Sequence, residues 1–155
     1  MAAYKRGDYT TAAAGGAGIA NGGTATIANS TIASNVGNLF SGGLTNAGTM
    51  AVTATTFAHN SADGASALRN EGTLTVTNSA FTDNRTFFGG EGALENFGTL
   101  VVSNTTFARN VTLEPVFART QGAAIANFNT LVLTNSTLAD NVVSGEFNLA
   151  VPSLV

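Results

Sequence analysis

The sequence predicts an all-β protein, a right-handed parallel β-helix (β-solenoid) of about five coils with three short strands each. Three observations carry this. The pattern aliphatic-x-Asn-x-Gly/Asn-Thr recurs five times, beginning at Ile19, Leu44, Leu68, Leu94 and Ile125. Each copy closes on Phe/Ile/Leu-x-x-Asn, at Asn35, Asn60, Asn84, Asn110 and Asn141, and both series advance by 25, 24, 26 and 31 residues. Between the two signatures the apolar residues alternate with period two, as in a strand, rather than 3.6. A fixed period in the twenties marks one supersecondary unit stacked on copies of itself, none of which could bury an apolar face alone.

The elements follow in chain order. Residues 1–14, with Tyr4, Lys5, Arg6, Asp8 and Tyr9, are expected to form a cap on the exposed edge of the first coil or a further strand, and residues 15–141 the repeat domain. In each coil the leading aliphatic opens a first strand. Four positions later stand Gly23, Gly48, Gly72, Gly98 and Asn129. Their shared tolerance of positive φ predicts a corner. The second strand follows, with inward pairs Ala25/Ile27, Met50/Val52, Leu74/Val76, Leu100/Val102 and Leu131/Leu133. A second corner is predicted at Asn29, Ala54, Asn78, Asn104 and Asn135, after which Ile32, Phe57, Phe81, Phe107 and Leu138 turn inward on a third strand. Neighbouring coils of such a solenoid stack about 4.8 Å apart, and a right-handed sense follows from the preference of parallel crossovers.

Composition narrows the function. Charged residues make up 10% of the 155, against roughly 25% in an average globular protein, and small polar residues replace them. A net charge of −3, from five arginines, one lysine and nine acids, leaves no basic patch for nucleic acid. No apolar run approaches the ~20 residues of a membrane-spanning helix, and the first residues carry no signal-peptide core. With no cysteine, disulfides and thiolate chemistry are excluded.

Phe57 to Asn60, Phe81 to Asn84 and Phe107 to Asn110, preceded by Gly92-Ala93-Leu94 and Gly122-Ala123-Ala124-Ile125, carry a resemblance. The chain resembles the repeats of chlamydial-type polymorphic outer-membrane proteins and of autotransporter-like bacterial surface passengers. The resemblance covers residues 15–141. It implies a β-helix acting as passenger or stalk outside a microbial cell, in adhesion or structure. Ile32 and Leu138 stand where that motif has Phe, and no membrane barrel or anchor is present in the sequence.

The polar columns read first as structure. Asn21, Asn46, Asn70, Asn96 and Asn127 face the same way as the leading aliphatic, as an amide ladder that satisfies buried polar groups. The closing asparagines form a second column. His59, Asp83, Arg109 and Asp140 stack as cross-strand charges, as do Arg69 and Glu95. A catalytic set is not expected: the nine acids are spread over different columns, and only Glu71, Glu91 and Glu95 converge, near the first strand of coils three and four. No metal or cofactor is implied. A polysaccharide-binding or lyase-like β-helix is the alternative, and the Thr24, Thr49, Thr73, Thr99 and Thr130 column raises ice binding as a second.

Recognition is expected where the repeat is interrupted. The turn at 111–121 is the longest and carries Glu114, Phe117 and Arg119, beside Arg85, Phe87 and Phe88. The apolar segment 142–155, with Phe147, Leu149, Val151, Leu154 and Val155, is expected to cap the last coil or to join copies end to end. Expected partners are therefore the chain itself, a cell-surface or matrix component, or carbohydrate.

Overall fold

The structure, a computed structural model, describes residues 18–38, 40–87, 90–114 and 122–145. The first circuit runs through β1 (Ile19–Asn21), β2 (Thr24–Ala28) and β3 (Thr31–Ala33). The second is β4 (Leu44–Asn46), β5 (Thr49–Thr53), β6 (Thr56–Ala58) and β7 (Ser61–Ala62); the third is β8 (Leu68–Asn70), β9 (Thr73–Thr77), β10 (Ala80–Thr82) and β11 (Arg85–Thr86). The fourth is β12 (Leu94–Asn96), β13 (Thr99–Ser103), β14 (Thr106–Ala108) and β15 (Val111–Glu114); the fifth is β16 (Ile125–Asn127), β17 (Thr130–Thr134), β18 (Thr137–Ala139) and β19 (Val142–Gly145).

All strand pairings are parallel and put like residues opposite like: Leu44, Leu68, Leu94 and Ile125 are neighbours, as are Phe57, Phe81 and Phe107. Three five-stranded sheets result, β1-β4-β8-β12-β16, β2-β5-β9-β13-β17 and β3-β6-β10-β14-β18. The chain completes four turns between Ile19 and Ile125 and begins a fifth. Loop length does not disturb the register, because a one-residue slip would turn every inward side chain outward.

Beside the three strands of each coil, a narrow fourth sheet, β7-β11-β15-β19, follows the closing asparagine. Its residues share no motif, only a small inward group: Ala62, Thr86 and Thr112 are buried. The absence of an apolar period there hides it from sequence reading.

The core is built in columns. Phe57, Phe81 and Phe107 are fully buried and stack face to face, centroids 4.5 and 4.6 Å apart and planes within 4° and 9°. Leu44, Leu68 and Leu94, with Met50, Leu74 and Leu100 and with Val52, Val76 and Val102, fill the rest.

The corners require one correction. Asn29, Ala54, Asn78, Asn104 and Asn135 hold φ of 45–50°, a left-handed corner. Gly23, Gly48, Gly72, Gly98 and Asn129 do not adopt positive φ. Their column is glycine because adjacent coils approach too closely for a side chain: a Cβ at Gly48, Gly72 or Gly98 would lie 2.0–2.1 Å from the carbonyl oxygen of the preceding coil's glycine. Asn129 carries that Cβ, and the rung beside it is stretched. The Thr130 amide reaches Gly98 O at 3.3 Å, where the equivalent bonds of Thr49, Thr73 and Thr99 measure 2.8, 2.9 and 2.9 Å. A further left-handed corner lies at Ser34, His59, Asp83, Arg109 and Asp140, φ 54–58°.

The cap at 1–14, the greater part of the 111–121 loop and the apolar segment from 146 onward lie outside the described residues.

Candidate functional site

Strand register places unlike side chains together on the outward side of the first sheet. Thr45, Arg69 and Glu95 are neighbours across β4, β8 and β12. Arg69 Nη1 donates to Glu95 Oε2 and Arg69 Nε to Glu71 Oε1, both at 2.8 Å. The guanidinium lies over the ring of Phe97 at 4.5 Å and that of Phe40 at 5.0 Å. Phe97 in turn stacks on Phe128, 4.6 Å away and 7° from parallel.

One arginine thus serves several acids. Glu95 is only 5% exposed, and burial pushes its pKa up to about 7 despite the opposing charge of Arg69; the nearby Glu91 and Glu71 carboxylates push the same way as burial. At Glu95 desolvation outweighs the attraction of the Arg69 charge. Burial raises Glu91 as well. Its Oε2 and Thr45 Oγ1 are buried without a hydrogen-bond partner. Of the three acids, Glu71 is exposed and paired with Arg69, whereas Glu91 and Glu95 have their pKa values raised by burial. Among the described residues no three metal-ligating side chains come together.

The asparagine columns bond along their length. Nδ2 of Asn21, Asn46, Asn70 and Asn96 donates to Oδ1 of the next asparagine at 2.7–2.8 Å. In the second column Asn35, Asn60, Asn84 and Asn110 donate onward to Asn60, Asn84, Asn110 and Asn141 at 2.8–3.1 Å. The same Oδ1 atoms also accept the main-chain N–H of the preceding asparagine. A third ladder escaped the sequence reading. Ser30, Thr55, Ser79, Thr105 and Ser136 donate their hydroxyls to the carbonyl two residues back, and the last three accept the amides of Thr55, Ser79 and Thr105. The signal was present as a hydroxyl residue one place after each of the corners at Asn29, Ala54, Asn78, Asn104 and Asn135.

Arg109 forms a two-pronged pair with Asp83 at 2.8 Å, which lowers the Asp83 pKa. The carboxylate is thereby committed to Arg109 rather than to orienting His59. The threonine column is exposed in all five coils, but half-buried Ala51 and exposed Val101 and Val132 interrupt the next column.

Of the expected recognition patch, Arg85 lies over the ring of Phe87 at 5.3 Å. Glu114 ends β15; Phe88, Phe117 and Arg119 lie outside the described residues, as do Phe147, Leu149, Val151, Leu154 and Val155. Phe40, Phe97, Phe128 and Thr45 were not singled out from sequence. Phe97 and Phe128 occupy the coil position held by Glu71, so alignment of the copies would have exposed the pair.

The two ends of the solenoid differ. Inward residues of the first coil, Ala25, Ile27 and Ile32, are 5–8% exposed, whereas Leu133 and Leu138 of the fifth are 38% and 48% exposed. Beside them opens a cavity of about 350 Å³, lined by Ala124, Ile125, Leu138, Asp140 and Asn141 among others.

No helix among the described residues is long and apolar enough to cross a membrane. No curated protein and no solved structure matches the chain. The family model described as a right handed beta helix region matches residues 9–148, nearly the whole length; the chain belongs to the right-handed β-helix family.

Proposed function

We propose that this β-helix is a non-enzymatic structural and adhesive element displayed outside a microbial cell. The supporting observation is where its polar groups go. Both asparagine columns and the hydroxyl column bond to their own counterparts in neighbouring coils, and Arg69 and Arg109 are held by acids of adjacent strands. Little recurrent chemistry is left to converge on a substrate. Absence of cysteine and scarcity of charge suit a durable exterior chain. End-to-end filaments fit less well than a stalk, because the first coil's inward face is already covered while the last is open.

The test combines immunogold electron microscopy of intact native cells with a lyase and hydrolase screen. Label on unpermeabilised cells and no turnover is the expected result. Label only after permeabilisation, or polysaccharide cleavage lost in Glu95→Gln, overturns the reading.

Carbohydrate binding is a second reading, favoured by one observation. The stacked, exposed rings of Phe97 and Phe128 lie beside Arg69 and Glu71, an apolar platform with polar groups at its edge. Retention on a glycan array, lost in Phe97→Ala/Phe128→Ala, would support it.

A further inference from the structure

The triplet Asn-x-Thr, with x not proline, is the acceptor motif for sugar on an asparagine amide, and the chain carries it at Asn29, Asn84, Asn104, Asn110 and Asn135. The solenoid sorts these into two kinds. Asn84 and Asn110 are fully buried, and each Nδ2 uses both hydrogens inside the protein: Asn84 donates to Phe57 O and Asn110 Oδ1, Asn110 to Phe81 O and Asn141 Oδ1. Their third residues, Thr86 and Thr112, are buried too, with hydroxyls bonded to the Gly90 and Gly122 carbonyls. Asn29, Asn104 and Asn135 instead stand exposed at left-handed corners, φ 45–49°, and Thr31, Thr106 and Thr137 are exposed with them. Here the fold takes only the middle side chain. Ser30, Thr105 and Ser136 donate to the carbonyls of Ala28, Ser103 and Thr134, whereas among the described residues the flanking amide and threonine hydroxyl have no protein partner.

We propose that Asn29, Asn104 and Asn135 are glycosylation sites, modified on the folded solenoid by a glycosyltransferase of the cell that makes the chain. The co-substrate is an activated glycosyl phosphate, carried on a nucleotide or a lipid. Asparagine Nδ2 forms the new bond to C1 of the sugar while the C1–O bond to phosphate breaks. The phosphate leaves with the electron pair, and one Nδ2 proton passes to a base of the transferase. Folding comes first, because a sugar on Asn84 or Asn110 would remove an N–H that the ladder uses. Coils stacked about 4.8 Å apart also leave no room for a pyranose between them. Closing the coils therefore hides these two acceptors and leaves the three at the corners presented to solvent. Asn78 is the built-in exception. It is exposed at the same corner, φ 50°, but is followed by Ser79 and Ala80 and so lacks the third-position hydroxyl.

Site-resolved mass spectrometry of the full chain purified from its native cells tests the assignment. Sugar at Asn29, Asn104 and Asn135, with none at Asn84 or Asn110, is the expected result. Three bare corners overturn the proposal, and so does sugar at Asn84 or Asn110. A loss and a gain, produced in the same cells, check the motif itself. Thr106→Val removes the hydroxyl from an exposed strand position, and sugar at Asn104 should disappear. Ala80→Thr copies its register partners Thr56 and Thr106 and should bring sugar to Asn78. Sugar retained at Asn104, or none gained at Asn78, also overturns the assignment.

Discussion

Ala54 sits at φ 47° in a column otherwise filled by Asn29, Asn78, Asn104 and Asn135. A left-handed backbone costs an ordinary L-residue roughly 1–2 kcal/mol, and asparagine less. Ala54→Asn is therefore expected to raise stability by about 0.5–1 kcal/mol, seen as a higher melting temperature. That corner was legible because one residue type recurs at it. The glycine corner was legible as a place but not as a cause: glycine serves positive φ and close approach equally well, and only coil-to-coil distance tells them apart. Glu95 illustrates a different limit. Its spacing from Arg69 announces an ion pair, yet its protonation follows from burial, which the repeat does not encode. Its folded pKa of about 7 exceeds the ordinary 4.5, so the folded state holds the proton more tightly. The resulting stability is fully present below pH 4.5 and is lost as pH rises through 7. Glu95→Gln should flatten urea-determined stability across that window and match or exceed the parent at pH 8. An unchanged slope would show that Glu95 titrates normally.

The ladders behave as elements. Asn70 is fully buried and joins Asn46 to Asn96, with further bonds to Gly72 and Thr99 carbonyls. Asn70→Leu deletes the bond from Asn46 Nδ2, the bond to Asn96 Oδ1 and those to the Gly72 and Thr99 carbonyls, buried hydrogen bonds worth about 0.5–1.5 kcal/mol each. Chemical denaturation should show a loss of about 2–4 kcal/mol, and an unaltered melting temperature would deny the ladder a stabilising role. Phe81→Ala removes the middle ring of the aromatic stack and should cost about 3–5 kcal/mol. The exposed Arg109–Asp83 pair, in contrast, should matter little: Asp83→Asn is expected to change stability by less than about 1 kcal/mol, an effect further reduced by salt. These columns could be read from sequence because each needs the same side chain in every coil. The fourth sheet and the Arg69–Phe97–Phe128 cluster could not, since each coil contributes a different residue there.

Across the whole molecule, each coil touches only its neighbours, so cooperativity passes from coil to coil. Amide exchange should be slowest in β5, β9 and β13 and fastest in β17, which has a partner on one side only within the described sheets. The order of the coils also has a sense. Every side-chain-to-side-chain bond in the two asparagine columns runs from Nδ2 of one coil to Oδ1 of the next, and main-chain amides at Gly23, Gly48 and Gly98 hold the Oδ1 atoms of the first column in place. One reversed amide would set oxygen against oxygen and N–H against N–H, so each column turns over as a whole or not at all. The solenoid consequently carries two parallel files of aligned dipoles through its interior. It has a hydrogen-bearing pole at the fifth coil and an oxygen-bearing pole at the first, an axial arrow built from side chains in a fold whose backbone bonds supply almost none.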